Sequence, residues 1–411
     1  MLISTTSVNK LSEHIVRERE IFCGGLFLSA RWFVLSQLDY QGIQLIVLPD
    51  RDAAEYCAAD LYNLIKGDTV FFLPDSGKNL ERSNYKSSLG VQRTSAIGRI
   101  LECASTGENM VVVTYPDALE EGIPDPDSIR KTLMKLSVSD EVSHEDIATS
   151  LCENGFERVD FVAEPGQFSV RGAIIDIFSY SWNDPFRISF FGDEIESINI
   201  FDCNTQLSKE KVESAEIFPD IVASDTETTI SITDIFPENT LCWLDSSDMY
   251  KQRGFFGELS KFVRIFTDVP LSRTDVEPVK FNIVPQPVFN KNFELLTEDI
   301  RKRLEGGYRV RIYGEKKSQL ERLRSILSQN GGIMPEFVPE FNIHNGFIDN
   351  DNKVCCYSDH EIFDRFHRVT IRRSVEKSEQ LTINDLTSFS IGDYVVHIDY
   401  GVGVFGGLVR M

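Results

Sequence analysis

The stretch Gln44-Leu-Ile-Val-Leu-Pro49 decides the fold class, because a short unbroken apolar run is typical of a parallel strand buried on both faces. Asp50 or Asp52 then caps a helix whose apolar residues recur at helical spacing. Val70-Phe-Phe-Leu73 and Met110-Val-Val-Val-Thr114 are further runs of the buried-strand type. Strands that alternate with helices in this way predict an α/β domain with a parallel sheet.

The pattern changes after about residue 121. Ser128–Leu136 and Asp146–Asn154 have the apolar spacing of helices. Phe168–Phe178 follows and alternates, which predicts one strand with Ala173, Ile175 and Ile177 on a single face.

Two alternating runs, Phe186–Phe191 and Ile195–Phe201, then flank a Gly-Asp turn, which predicts a β-hairpin. Helices followed by antiparallel strands indicate an α+β insert in the α/β region.

A second strand-and-helix unit follows the prolines between residues 270 and 287. Its predicted elements are a helix over 297–304, a strand over Tyr308–Tyr313 and a helix over Ser318–Leu327. Val354–Tyr357 reads as a later strand of the same unit. Residues 206–280 give weaker strand signals, such as Leu241–Leu244. The order of elements predicts a second, smaller parallel sheet.

The last residues predict the opening of a small β-barrel. Gly392 and Asp393 form a turn before a strand that ends near His397, and Gly401 and Gly403 make a glycine-rich bend. Because a two-stranded hairpin alone is marginally stable in water, we expect the rest of such a domain to lie beyond Met411.

The composition is that of a globular protein whose 411 residues can fill two to four domains. Without an apolar run of about 18 residues or a signal peptide, no membrane span is expected. The eight cysteines include no CxxC pair, so reduced thiols in a cytoplasmic protein are expected. A net charge of −22 disfavours a broad phosphate-binding face and favours a protein partner, although a local basic groove stays open.

The sequence offers no conventional nucleotide site. A P-loop needs a Gly-Lys-[Ser/Thr] triplet, and the corresponding turn here, Cys23–Arg31, has no lysine. Asp193-Glu194-Ile195-Glu196 imitates a magnesium-binding acidic motif, but without a P-loop it reads as a hairpin turn. The sequence therefore predicts neither catalytic residues nor a metal or cofactor site in this chain.

Two arginines on the predicted antiparallel sheet are the candidates for recognition. Arg158 and Arg171 lie in a segment, 121–202, that contains few basic residues and many acidic ones. The structural alternative is a cross-strand ion pair with Asp160, Asp176 or Glu164. An exposed arginine in an acidic module is also a plausible anchor for a partner's carboxylate.

Residues 155–202 resemble the domain shared by the excision-repair protein UvrB and the bacterial transcription-repair coupling factors. The resemblance rests on Arg171-Gly172 within the strand motif that ends at Phe178, and on Phe190-Phe-Gly-Asp-Glu-Ile195. Met110–Leu119 resembles a strand of the first UvrB-like half-domain. His397–Gly403 resembles the start of the polymerase-interacting barrel of coupling factors, with Tyr400 where the family usually has histidine.

The resemblance implies specific binding residues. In that family the domain binds UvrA, and arginines on the sheet face bond to UvrA carboxylates. Arg171 matches a family arginine directly, Arg158 lies beside an upstream basic position, and Phe178 lies where the family has an apolar contact. The residues that would open the polymerase-interacting barrel are Gly392, Asp393, His397, Gly401 and Gly403.

The resemblance also implies an architecture: a degenerate P-loop-like (UvrB-like) α/β domain with an inserted α+β UvrA-binding-type domain, a further small α/β domain, and a truncated barrel start. The expected divisions are 1–120 (UvrB-like half-domain without a P-loop), 121–205 (insert), 206–280 (second part of the UvrB-like domain), 281–370 (small α/β domain), 371–388 (linker) and 389–411 (barrel start).

The implied function is a non-catalytic adaptor in nucleotide excision repair that recruits UvrA to RNA polymerase stalled at a lesion. ATP, magnesium and double-stranded DNA would be bound only by a downstream translocase motor of the intact protein. The alternative is a divergent UvrB-like, ATP-dependent damage-recognition helicase. The missing Gly-Lys-[Ser/Thr] triplet and the lack of an aromatic-rich DNA-gripping hairpin argue against it.

Overall fold

The structure is a computed structural model. It describes residues 5–65, 69–77, 83–180, 182, 184–203, 205–219, 221, 229–245, 253, 255–269, 276–329, 334–364, 394–397 and 401–404. Of the sequence predictions, the turn at Gly392 and Asp393 and the linker 371–388 lie outside these residues.

The helices of the described residues are mostly short. They are α1 Thr5–Arg17, α2 Ala30–Leu35, α3 Arg51–Leu64, α4 Ser83–Thr106, α5 Pro116–Glu120, α6 Pro126–Thr132, α7 His144–Glu153, α8 Phe255–Glu258, α9 Phe293–Glu305, α10 Lys317–Gln329 and α11 Asp359–Ile362. None of these helices is long and apolar enough to cross a bilayer.

The strands of the first half of the described chain are β1 Glu20–Gly24, β2 Ile43–Val47, β3 Val70–Phe72, β4 Met110–Thr114, β5 Ile123–Pro124, β6 Met134–Ser137, β7 Glu157–Arg158, β8 Gln167–Arg171, β9 Ile174–Ile177, β10 Phe186–Phe191, β11 Glu194–Phe201 and β12 Ser208–Val212. Those that follow are β13 Ser214–Ile217, β14 Thr229–Ile230, β15 Leu241–Leu244, β16 Val263–Phe266, β17 Val279–Lys280, β18 Ile283–Pro285, β19 Arg309–Gly314, β20 Glu336–Pro339, β21 Phe347–Asp349, β22 Val354–Ser358, β23 Tyr394–His397 and β24 Gly401–Val404.

A seven-stranded parallel sheet, in the order β17-β1-β16-β15-β2-β4-β3, forms the centre of what we call the core unit. Every residue of β2 and β4 is buried, which confirms the strands expected from the two apolar runs. The side chain of Asp50, and not that of Asp52, accepts the capping hydrogen bond of α3 from the amide of Ala53, at 2.9 Å. The sheet is built from residues 20–114 together with residues 241–280.

A six-stranded sheet, in the order β12-β11-β10-β9-β8-β7, comes from the residues between those two parts. Its inner face and α7 enclose a hydrophobic core of their own. The Gly-Asp hairpin predicted between β10 and β11 is confirmed, since Phe191 pairs with Glu194 across the turn. We call this sheet with its helices the inserted unit.

Two predictions within this region were wrong. Phe168–Phe178 is not one strand but two, because the chain turns at Gly172, whose φ of 60° suits glycine, and Ala173 in the same turn is exposed. The predicted helix Ser128–Leu136 ends at Thr132. The following residues form β6, because pairing with β13 buries Leu136 in the core of the unit.

A five-stranded sheet, in the order β18-β21-β22-β19-β20, forms the small unit over residues 283–364. The prediction of a parallel sheet was wrong in part, because β21 pairs antiparallel with both β18 and β22. The two predicted helices of this unit extend further than expected, as α9 and α10, and both pack on one face of the sheet. The other face packs against the core unit, where the ring of Phe33 makes edge contacts with Phe347 at 5.1 Å and Tyr313 at 6.2 Å between centroids.

Candidate protein-binding site

The outer face of the six-stranded sheet brings three charged side chains together. Arg171 is the last residue of β8, and Asp176 on β9 lies opposite Ser169, two residues away from Arg171 on the same face. Arg187 on β10 lies directly opposite Asp176. The strand register alone therefore places one carboxylate between two guanidinium groups.

The carboxylate of Asp176 is 1% exposed and binds both arginines. Arg187 donates to it in a two-pronged arrangement, with Nε to Oδ1 at 2.8 Å and Nη2 to Oδ2 at 2.9 Å. Arg171 donates through Nη2 to the same Oδ2. The group carries a net charge of +1, which stands out in a strongly acidic chain.

Arg187 is held by more than this carboxylate. Its Nη2 donates to the side chain of Gln206 at 2.9 Å, and its guanidinium lies 4.1 Å from the ring centroid of Phe201. The hydrogen bond with Asp176 raises the pKa of Arg187 above its usual value. Its side chain is 19% exposed, against 35% for Arg171. Arg187 is thus the structural member of the pair, and Arg171 the one presented to solvent.

Exposed apolar side chains lie at both ends of this charged group. The ring of Phe161, 64% exposed, stacks with the guanidinium of Arg171 at 4.8 Å. Leu207, 69% exposed, follows Gln206 in the chain. We call this set the arginine patch; it comprises Phe161, Arg171, Asp176, Arg187, Gln206 and Leu207.

Sequence reasoning did not select Phe161 or Asp176 as parts of a site. The available signal was an aromatic residue between β7 and β8, outside either strand. Asp176 was considered only as a structural partner of Arg171, and that cross-strand ion pair is present. The pair does not compete with recognition, because it fixes the guanidinium while leaving part of it accessible.

Arg158 lies on the neighbouring edge strand. It is exposed, and β7 runs parallel to β8 with Arg158 opposite Phe168, three residues before Arg171. Within the described residues Arg158 makes no ion pair, so the alternative pairing with Asp160 or Glu164 is not seen there. Arg158 and Arg171 therefore lie on adjacent strands at one edge of the sheet.

The structure does not support Phe178 as a contact residue. It follows β9 and is 0% exposed, so its ring cannot touch a partner without opening the fold. Burial of a phenylalanine ring contributes to stability, and this accounts for an apolar residue at that position. We therefore take Phe178 out of the candidate site.

The turn after β1, where a P-loop would cradle phosphates, is covered by the protein's own backbone. The amide of Phe281 donates to the carbonyl of Gly24 at 2.8 Å, and a Cβ on Gly25 would lie 2.2 Å from the carbonyl oxygen of Phe281. Arg31, which follows this turn, forms an ion pair with Asp245. A phosphate group at this turn would have to displace these contacts.

The acidic motif at residues 193–196 lies at the turn and start of a hairpin strand, as expected. The described residues contain no cluster of three or more histidine, cysteine or acidic side chains that could hold a metal ion.

Three further predicted residues lie in the C-terminal hairpin. β23 and β24 pair antiparallel, with His397 opposite Gly401 and Val395 opposite Gly403. The strand predicted to end near His397 is confirmed at the level of the backbone, whereas Gly401 and Gly403, predicted to form a bend, lie in β24.

Two protein-family models match the chain. The UvrB interaction domain matches residues 134–221, which include Arg158 and the whole arginine patch. The CarD-like/TRCF RID domain matches residues 389–411, which include the β23–β24 hairpin.

Curated relatives match almost the whole chain. The transcription-repair-coupling factor of Bacillus subtilis (strain 168) is 22% identical over 98% of this chain and 43% of its own length. That of Borreliella burgdorferi is 22% identical over 73% of this chain and 32% of its own length. That of Staphylococcus aureus (strain bovine RF122) is 20% identical over 93% of the chain and 42% of its own length.

The chain thus spans less than half the length of these relatives. Both domain models and the near-complete matches agree with the resemblance drawn from the sequence motifs. Over most of its length the chain is therefore similar to transcription-repair-coupling factors.

Proposed function

We propose that this chain is the part of a transcription-repair coupling factor that recruits UvrA to RNA polymerase stalled at a DNA lesion. The arginine patch carries the proposal, because it lies within the residues matched by the UvrB interaction domain. It has the composition of a protein-binding hot spot, with arginine and an exposed aromatic ring at its centre.

The geometry specifies what the partner must present. The exposed part of Arg171 offers charge-assisted hydrogen bonds to a carboxylate, and Phe161 beside it offers an apolar ring. Arg158 is exposed on the adjacent strand, but its register with the buried Phe168 places it on the opposite face from Arg171, so it would be a separate contact. UvrA is the partner that the family resemblance implies, and the acidic remainder of the chain would repel competing anionic surfaces.

The remaining regions take the roles that the family implies. Residues 389–411 would belong to the RNA-polymerase-binding barrel, with Gly392, Asp393, His397, Gly401 and Gly403 at its start. The core unit would be a UvrB-like domain with a degenerate P-loop, interrupted by the inserted unit, whose strand pairings run over residues 134–217 and so pass the expected limit of 205. The intact protein would be a cytoplasmic ATP-dependent translocase on double-stranded DNA.

We propose further that this part of the protein does not hydrolyse ATP. Support comes from the covered turn after β1 and from the ion pair that Arg31, next to that turn, forms with Asp245. ATP and magnesium would belong to the motor of the intact protein. The alternative, a divergent UvrB-like helicase, requires a nucleotide site at the turn that Phe281 covers.

The proposal is tested by titrating purified UvrA against this chain by calorimetry or biolayer interferometry. We expect saturable binding that the double substitution R158A/R171A reduces at least tenfold. The matched control is Arg130→Ala, because Arg130 is an exposed arginine on α6, paired only with its neighbour Asp127. Equal affinities of the wild type and of the double variant would refute the assignment of the site.

A further inference from the structure

The core unit and the small unit meet at a polar joint. Three consecutive backbone amides of the segment before β21 donate to side-chain oxygens: His344 to Asp60 Oδ1 at 2.7 Å, Asn345 to Ser29 Oγ at 2.9 Å, and Gly346 to Glu361 Oε2 at 2.6 Å. Ser29 and Asp60 belong to the core unit, whereas Glu361 lies on α11 of the small unit.

Asp60 is the centre of this joint. Its side chain lies on α3 and is 1% exposed, and its Oδ2 accepts a hydrogen bond of 2.6 Å from the hydroxyl of Ser29. The side chain of Asp60 is therefore hydrogen-bonded both to Ser29 of the core unit and to the backbone of the segment before β21. Such a buried carboxyl cannot be rehydrated unless the segment moves away.

Burial is the largest influence on Asp60 and raises its pKa, whereas the hydrogen bonds from Ser29 and His344 and the charge of Arg31 lower it. Arg31 acts on Asp60 through space, but its guanidinium is committed to an ion pair with Asp245. Glu361 approaches from α11 and repels a negative charge on Asp60. From the joint segment itself comes His344, whose ring stacks on Tyr56 of α3 at 3.6 Å between centroids.

The ring of His360, on α11, stacks on the ring of His344, with 5.9 Å between the two centroids. Its Nδ1 is within hydrogen-bonding distance of Ser358 Oγ, at 2.5 Å. The charged and titratable groups around Asp60 are thus the carboxyl group of Glu361, the guanidinium of Arg31, which is paired with Asp245, and the imidazole rings of His344 and His360. An ionised Asp60 adds a second negative charge to a buried site that already contains Glu361.

We propose that Asp60 makes this joint proton-sensitive: it closes most firmly when the carboxyl is protonated and opens more often when the carboxyl is ionised. The two α/β units would then couple or uncouple according to the protonation of one buried side chain. This inference is independent of UvrA binding.

The direction follows from linkage. Burial raises the pKa of Asp60 from 3.8 to about 7 in the closed joint, and burial likewise raises the pKa of Glu361. In an open joint Asp60 would recover its ordinary value. Between these two values the closed state binds the extra proton, so the opening constant rises with pH, about tenfold per unit for one proton. Above a pH of about 7 the opening constant no longer changes with pH.

The test is hydrogen exchange of the amides of residues 344–346 in the full chain, measured from pH 5 to pH 8 and corrected for intrinsic rates. We expect the opening constant to rise about tenfold per pH unit up to about pH 6.5 and to level off above pH 7.5. Asp60→Asn, a neutral side chain of the same shape, should remove the contribution of Asp60 and leave only a smaller slope, because burial also raises the pKa of Glu361.

Two controls make the result specific. Asp52→Asn is the same substitution at an exposed position of the same helix, and it should preserve the wild-type slope. Glu361→Gln should also preserve it, with its midpoint shifted to lower pH because one negative charge near Asp60 is gone. A slope in Asp60→Asn as steep as that of the wild type, or one that disappears only in Glu361→Gln, would overturn the proposal.

Discussion

Replacing Arg171 by alanine should separate binding from folding. The side chain is 35% exposed, and its removal leaves Asp176 with both hydrogen bonds from Arg187. The loss of folding free energy should therefore stay near that of a surface ion pair, about 1 kcal/mol or less. Loss of a charge-assisted bond in an interface should cost about 1.5–3 kcal/mol of UvrA affinity, roughly 10- to 150-fold in Kd.

Arg187→Ala should show the opposite balance. It removes the two-pronged bond to Asp176, the bond to Gln206 and the contact with Phe201. Breaking a buried ion pair by removing one partner costs about 3–5 kcal/mol, and the lower end applies here because Arg171 still partly neutralises Asp176. We expect the inserted unit of this variant to unfold at a clearly lower denaturant concentration than that of the wild type.

Both quantities should be measured on the same purified variants, stability by denaturant titration and affinity by calorimetry with UvrA. Conditions are chosen so that every variant is folded when UvrA is added. If Arg171→Ala lost as much stability as Arg187→Ala and bound UvrA with wild-type affinity, Arg171 would be structural. The division of roles between the two arginines would then be wrong.

Three further outcomes are expected. Phe161→Ala should weaken UvrA binding by about 1 kcal/mol without loss of stability. Phe191→Ala, which removes a still more exposed ring at a hairpin turn outside the patch, should leave the affinity unchanged; equal effects would contradict the role of the patch. Gly25→Ala should destabilise the core unit by more than the roughly 1–3 kcal/mol that a left-handed backbone conformation costs alone, because the added Cβ would clash with the backbone of Phe281. Denaturant titration should show a smaller loss for Gly107→Ala, since the space around Gly107 is open. Calorimetry should detect no saturable ATP binding at micromolar concentrations. Saturable binding would contradict the inference that the turn after β1 is closed to phosphates.

The strands of the core unit were predictable because their signal is local. A run such as Met110–Thr114 must be buried on both faces whatever its neighbours are, and the structure buries all five of its residues. The cap of α3 was predictable to within two residues for the same reason, since the capping side chain and its amide are three residues apart. The order of the strands within the sheet could not be predicted from such local signals.

The arginine patch was only partly predictable. Arg171 was found through its motif, but its relation to Arg187 depends on the register of three strands, which no single segment encodes. The alternation through Phe168–Phe178 hid a turn, because Gly172 and Ala173 interrupt the pattern without a polar residue. Phe178 was misjudged because burial behind a sheet depends on distant residues.

The position of β1 has a consequence for the order in which the chain acquires its structure during synthesis. Among the strands that the structure describes, Glu20–Gly24 pairs with β16 and β17, so some 240 further residues must be synthesised before either neighbour exists. The inserted unit completes its strand pairings over residues 134–217 and can form earlier. A ribosome-bound chain should therefore present a folded arginine patch while β1 is still unpaired and exposed to chaperones.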